Sequence, residues 1–301
     1  MDKITAKAKN EVIPSIERKE VYINGKRVIY FTNTNKIEKT TPLVLLPGWP
    51  ISSYMYYPLM TLLGSYYTCY AVNPPGFGGS ASVLTKHTLS SLADFLEKFR
   101  KRIINKNINL MGYSASGVIA LIYASRYKSL NNLIVFSTPY DGTNQLKETQ
   151  FSNEPYLELF EVLRDHPHIR TFVNLKHVKV PLLKQVYKKS LIFNYSKLTK
   201  AEEKLIKELE KETHQCDIKV VIDVANEILT SDFTKTAKAI RVPTLVLGAK
   251  NDLAVDPSRM VKLSKLVRKS TLKIIPAADH SVAFSEPEKI APLILKFLLK
   301  N

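Results

Sequence analysis

One stretch constrains the chain more than any other: Asn109-Leu-Met-Gly-Tyr-Ser-Ala-Ser-Gly-Val-Ile-Ala-Leu121, where apolar residues run into a tight turn and a helix-compatible apolar run leaves it at once. A serine squeezed between a strand and a helix occupies a sharply bent backbone that lifts its hydroxyl off the sheet, and only small residues fit two positions to either side. Gly112 and Ser116 meet that size requirement around Ser114. The pattern alone is common, so its weight depends on what surrounds it.

The surroundings alternate strand with helix. Glu20 to Phe31 is two β-rich runs split by Asn24-Gly25, a hairpin signal. Pro42 to Leu46 is a continuous apolar run of the kind a sheet covered on both faces requires. A helix near Tyr54 to Leu63, a strand around Tyr67 to Val72, the turn Asn73 to Ser80, a helix from Leu89 to Ile104 and a strand Ile108 to Met111 lead to the serine turn. Beyond it, Gly117 to Tyr127 reads as helix and Asn132 to Phe136 as another buried strand. The alternation then stops between Pro139 and Asp232, where segments such as Leu198 to Glu212 carry helix formers. It resumes with a strand at Val242 to Gly248, a helix Pro257 to Val267, a strand Thr271 to Ile275 and a helix Glu286 to Leu299. This predicts an α/β core of residues 1–138 and 233–301, its first 19 residues a flexible or extended segment, with a helical insertion at 139–232. Two caps are expected for the late helices, Asp256 before Pro257 and a capping box Ser285-Glu-Pro-Glu288, which removes Asp256 and Glu288 from the catalytic candidates.

Charge and cysteine content narrow the function classes. The formal net charge is +17, yet residues 139–232 hold 14 basic against 15 acidic side chains and the rest of the chain 30 against 12. The densest basic run, Lys98 to Lys106, ends a predicted helix, where cations complement the dipole. Without a zinc-finger, RNA-binding or helix-turn-helix pattern, solvated basic surface is expected in place of a specific nucleic-acid partner. No apolar run approaches the ~20 residues that span a bilayer, and residues 1–19 lack a secretory leader's apolar core. Two cysteines, Cys69 and Cys216, supply no disulfide framework, so a cytoplasmic location is expected. His166, His168, His177, His214 and Cys216 fit no standard metal spacing, and neither metal nor organic cofactor is expected.

A serine hydroxyl needs a base to take its proton, and the base needs an orienting partner. Functional groups of such sheets gather at the carboxyl ends of strands, and Ser114, Asp252 and His280 each follow a predicted strand end. Asp141, after Phe136, is the rival for the acid.

The ordered landmarks resemble the α/β-hydrolase superfamily from about residue 20 to the C-terminus. Leu43 to Pro50 is similar to its oxyanion loop, Asn73 to Ser80 to its Pro-Gly-rich turn, Gly112 to Ser116 to the nucleophile elbow, Pro243 to Asp252 to the strand ending in the acid, and Asp279-His280 through Pro287 to the histidine loop. Pro47, Asn73 and Ser116 depart from the usual His, acid and Gly. The resemblance implies a mostly parallel eight-stranded sheet flanked by helices, with 139–232 as a helical cap over an apolar pocket. It implies Ser114 as nucleophile, His280 as base and then acid, Asp252 as its acceptor, and backbone N–H groups of Trp49 and Ala115 as the oxyanion hole. Relatives with an aspartate at the elbow, such as dehalogenases and epoxide hydrolases, are set aside.

The expected activity is hydrolysis of an ester, thioester or lactone of a small to medium apolar acyl group. An acyltransferase, perhydrolase or C–C bond hydrolase would use the same residues, and a non-catalytic ligand-binding protein could share the scaffold. An ordinary histidine titrates near ~6.5, so a histidine base predicts a rate rising over roughly pH 6 to 8. Trp49, Tyr54 and Tyr140 are candidate pocket walls that ordinary packing would equally explain. Oligomeric state is not legible in these residues.

Overall fold

A computed structural model of the chain describes residues 15–35, 37–82, 87–143, 165–166 and 200–301. Asn24 and Gly25 both take positive φ, 52° and 71°, as the two-residue turn that matches strand twist demands. The hairpin they close, β1 (Ile16–Ile23) and β2 (Lys26–Asn33), pairs in full register from Ile16↔Asn33 to Ile23↔Lys26.

The remaining strands are β3 (Leu43–Leu46), β4 (Cys69–Val72), β5 (Ile108–Tyr113), β6 (Leu130–Phe136), β7 (Thr244–Ala249) and β8 (Ser270–Ile275). They form an eight-stranded sheet in the order β1-β2-β4-β3-β5-β6-β7-β8. Only the β1–β2 and β2–β4 pairings are antiparallel. Every residue of β3, β5 and β7 is buried, which is why these strands read as unbroken apolar runs rather than alternating ones.

Helices cover both faces. On one side lie α1 (Tyr57–Leu63) and α9 (Pro287–Lys300), and on the other α2 (Leu89–Phe99), α3 (Ala115–Arg126) and α7 (Pro257–Leu266). Two apolar cores result, one per face, with Leu45, Met111 and Leu247 pointing into one and Val44, Leu110 and Val246 into the other. The pairings Leu46↔Gly112, Tyr113↔Phe136, Phe136↔Leu247 and Ala249↔Ile275 align the carboxyl ends of the parallel strands. The loops that carry the candidate residues therefore leave one edge of the sheet.

Between β6 and β7 the described residues form α4 (Lys200–Thr213), α5 (Ile218–Thr230) and α6 (Thr234–Ala239). The two ends of this segment meet: Phe233 N–H donates to Tyr140 O at 2.8 Å, Gly142 N–H to Ser231 O at 3.0 Å, and Asp141 bridges Asp232. A side chain at 142 would put its Cβ 1.7 Å from Ile228 O, so the neck accepts only glycine there.

The late caps divide. Asp256 accepts from Ser258 N–H with Pro257 in the first turn, as expected. The box at Ser285–Glu288 does not form, because Ser285 is already the last residue of a short helix, α8 (Val282–Ser285). Its hydroxyl sits 3.0 Å from Ser281 Oγ, and Glu286 opens α9 without a side-chain cap bond. The chain spends that turn on bending after His280.

Candidate active site

Ser114 stands at φ 52°, ψ −127°, between the last residue of β5 and the first of α3. Such a backbone is strained for a residue with a Cβ, and its neighbours hold it there: Ser114 N–H donates to Phe136 O at 2.8 Å and Gly117 N–H to Ser114 O at 2.9 Å. Two glycines permit the bend. A Cβ at Gly112 would fall 2.5 Å from Ser116 O and 2.7 Å from the Ala120 Cβ, and one at Gly117 would fall 1.9 Å from Thr138 Oγ1. The usual glycine position is Ser116, 1% exposed, whose hydroxyl has no hydrogen-bond partner among the described residues. Close approach to the β6 loop falls on Gly117 instead, which the strand-turn-helix pattern did not single out.

Asp252, 5% exposed, and His280, 7% exposed, reach Ser114 from their loops. His280 Nε2 lies 3.1 Å from Ser114 Oγ, and His280 Nδ1 lies 2.8 Å from Asp252 Oδ2. The other carboxylate oxygen of Asp252 accepts the N–H groups of Ala254 and Val255, both at 2.9 Å. Burial by itself would push the Asp252 carboxyl up. The adjacent His280, by charge and hydrogen bond, and the Val255 amide outweigh burial and hold it below the usual carboxylate range. Tyr113 supports the histidine loop: its hydroxyl donates to His280 O, and its ring lies 5.0 Å from the imidazole. Complete burial pushes the Tyr113 phenol up, so it remains a donor.

Asp141, the rival acid, is engaged elsewhere. Its carboxylate accepts from Arg259 Nη1, and Arg259 is 1% exposed, the largest fully buried side chain among the described residues. The structure brings Asp252 to His280, and Asp141 to Arg259.

The loop after β3 closes over the serine. A Cβ on Gly48 would sit 2.8 Å from Tyr113 Cε1 and 3.5 Å from Ser114 Cβ, so the loop backbone lies directly against the elbow. Ala115 N–H is one of the first amides of α3, which have no acceptor within the helix. Among the described residues, neither it nor Trp49 N–H donates to a backbone carbonyl. Asn73, 0% exposed, explains its departure from an acid. It accepts from Ser53 N–H at 2.6 Å while donating to Gly78 O at 3.0 Å, and a carboxylate cannot donate. Of the candidate walls, Tyr54 packs edge-on against Phe31 at 5.5 Å, with its phenol pushed up to about 12 by burial. Tyr140 is buried at the neck, and Trp49 is half-buried. His168 and His177 lie outside the described residues, and among those described no three potential ligands gather as a metal site would require.

The relatives agree with this architecture. The pimeloyl-[acyl-carrier protein] methyl ester esterase of Wigglesworthia glossinidia brevipalpis is 23% identical over 274 residues, covering 86% of this chain and 93% of that one. The enol-lactonase of Burkholderia xenovorans LB400 superposes with a TM-score of 0.74 at 16% identity, over 93% of this chain and 100% of the other. An esterase from Exiguobacterium antarcticum does so with a TM-score of 0.71 at 19% identity, over 92% and 97%. A family model described as the alpha/beta hydrolase fold matches residues 41–287. With most of its length matched and the eight-stranded sheet in place, the chain belongs to the α/β-hydrolase family.

Proposed function

We propose that the protein is a serine hydrolase that cleaves a carboxylic ester, thioester or lactone through an acyl-serine intermediate. One observation carries the reading: the continuous contact from Ser114 Oγ to His280 at 3.1 Å and from His280 to Asp252 at 2.8 Å. Ser114 Oγ attacks the acyl carbon as its proton passes to His280 Nε2. Asp252, on Nδ1, fixes the tautomer and stabilises the imidazolium. The N–H groups of Trp49 and Ala115 take the negative oxygen, each such donor typically worth ~3 kcal/mol. Collapse expels the alcohol or thiol, which leaves with the proton from His280. Water then attacks the acyl-enzyme as His280 takes its proton, and collapse releases the acid while His280 returns that proton to Ser114 Oγ.

Residues 139–232 serve as the cap over this site, and its shape selects the acyl group. An esterase acting on a methyl ester among the curated relatives supports the ester class. The two buried cysteines, Cys69 and Cys216, which form no disulfide, fit a reducing cytoplasm.

The test is hydrolysis of p-nitrophenyl esters of increasing acyl length. Ser114→Ala should lower kcat by at least ~1,000-fold without unfolding the protein. Turnover that survives this substitution would sink the reading.

A further inference from the structure

The loop after β3 makes few hydrogen bonds of its own, Ile51 N–H to Gly48 O at 3.1 Å and Met55 N–H to Ser52 O at 3.0 Å. Pro47 and Pro50 have no N–H to offer. Asn73 accepts Ser53 N–H at 2.6 Å and Tyr56 Oη–H donates to Leu46 O at 2.8 Å, and the loop's further fastenings come from far along the chain. Trp49 Nε1–H donates to Val221 O at 2.6 Å, and Ser52 N–H donates to Thr213 Oγ1 at 3.2 Å. Cys216 Sγ lies 3.8 Å from Pro50 O and accepts from Gly78 N–H at 3.3 Å. Thr213, Cys216 and Val221 are all buried. They bracket the turn from α4 into α5.

That turn is itself anchored. Asp217 N–H donates to Gly76 O at 2.7 Å, Ser82 Oγ donates to Asp217 Oδ2 at 2.5 Å, and Glu227 accepts Leu89 N–H at 2.7 Å. Val220 fills the space over Gly76, where a Cβ would lie 2.4 Å from Val220 Cγ2. Val221 belongs to α5, and a helical carbonyl keeps a second lone pair, so it accepts the indole without surrendering a helix bond. The Gly48–Trp49 peptide is thus clamped, with the Tyr113 ring against Gly48 and the Val221 carbonyl on the Trp49 indole.

We propose that the Trp49 indole is a positioning group, and that α5, through the Val221 carbonyl, sets the orientation of the oxyanion-binding peptide. Seating α5 on the core and assembling the oxyanion hole are then one event. The cap contributes to catalysis as well as to substrate choice. This rests on the acyl-transfer reading above.

A donor aimed at the oxyanion acts in the transition state, so disturbing its aim lowers kcat and spares KM. Trp49→Phe keeps an aromatic ring in the loop and deletes the indole N–H. Its kcat on a p-nitrophenyl ester is expected to fall at least ~10-fold with KM within about twofold. Thr213→Val, which removes the acceptor of Ser52 N–H, should give a smaller loss of the same kind and serves if Trp49→Phe folds poorly. An unchanged kcat, or a loss confined to KM, overturns the proposal.

A second readout needs no turnover. Trp49 is the sole tryptophan, so the ¹⁵N-labelled protein has one indole N–H resonance. It should exchange with deuterium at least ~100-fold more slowly than a free indole, and faster in Thr213→Val. Exchange at the free rate overturns the brace. Should Ser114→Ala keep full turnover, the reaction reading fails on its own, and the indole exchange still decides whether α5 holds the loop.

Discussion

Asp252 and Asp141 follow the ends of neighbouring parallel strands, and only their partners tell them apart. In the chain both are acids just beyond an apolar run, so position left the choice open. In the structure Asp141 is paired with buried Arg259, 118 residues away, a contact no local pattern reveals, whereas Asp252 contacts His280. The two substitutions should separate cleanly. Asp252→Asn keeps the shape but loses the carboxylate that orients His280, and kcat is expected to fall ~1,000- to 10,000-fold with the unfolding midpoint nearly unchanged. Asp141→Asn removes the carboxylate that accepts from the buried Arg259 guanidinium, so it should cost about 2 kcal/mol in urea unfolding while kcat per folded molecule stays within about threefold. Reversed outcomes would exchange the roles of the two acids. Ser114 and His280 had fewer rivals in the chain, because Ser114 sits in a turn only small neighbours permit and the other described histidines follow no strand end.

At the scale of elements, what could be read was what repeats. The parallel strands are legible since burial on both faces forces unbroken apolar runs, and Asn24-Gly25 and Asp256-Pro257 announce their turns by local chemistry. Ser285 misled because the capping pattern is satisfied by spacing, whereas α8 had already taken that serine into its last turn. The elbow helix holds the other surprise. Ser116 is buried in the first turn of α3 with its hydroxyl unpaired among the described residues, and Gly117 is pressed against Thr138. Ser116→Ala deletes the unpaired hydroxyl and adds a better helix former, so it should stabilise the protein by about 1 kcal/mol and raise Tm. Gly117→Ala should do the opposite, costing about 2 kcal/mol as Thr138 is pushed off the helix. If Ser116→Ala lowers Tm, the hydroxyl has a role that this packing does not account for.

For the whole molecule, the balance of charge makes acid the natural stress. The chain already carries +17, and every carboxylate that protonates adds to self-repulsion. One carboxylate ties several elements together: Glu97 on α2 accepts two bonds from Arg100 at 2.8 Å, one from the Tyr123 hydroxyl on α3 at 2.6 Å and one from Ser129 before β6 at 3.1 Å. Burial favours its neutral form, but the Arg100 fork and the two hydroxyls prevail and lower its pKa to about 2. A folded value below the unfolded one of ~4.3 means that the ionised form is bound more tightly in the folded state. That stability is fully present above the unfolded value and is lost as pH falls towards 2. Asp252, also held below its ordinary value, acts in the same direction. Glu97→Gln should therefore be less stable than the wild type by about 2 kcal/mol at pH 7, and the gap should narrow steadily between about pH 5 and pH 2. Urea midpoints at pH 7, 4 and 3 measure it. A gap that stays constant across that range would mean that Glu97 stabilises the α2–α3 junction by shape alone, and that the acid sensitivity of the molecule resides in its other carboxylates.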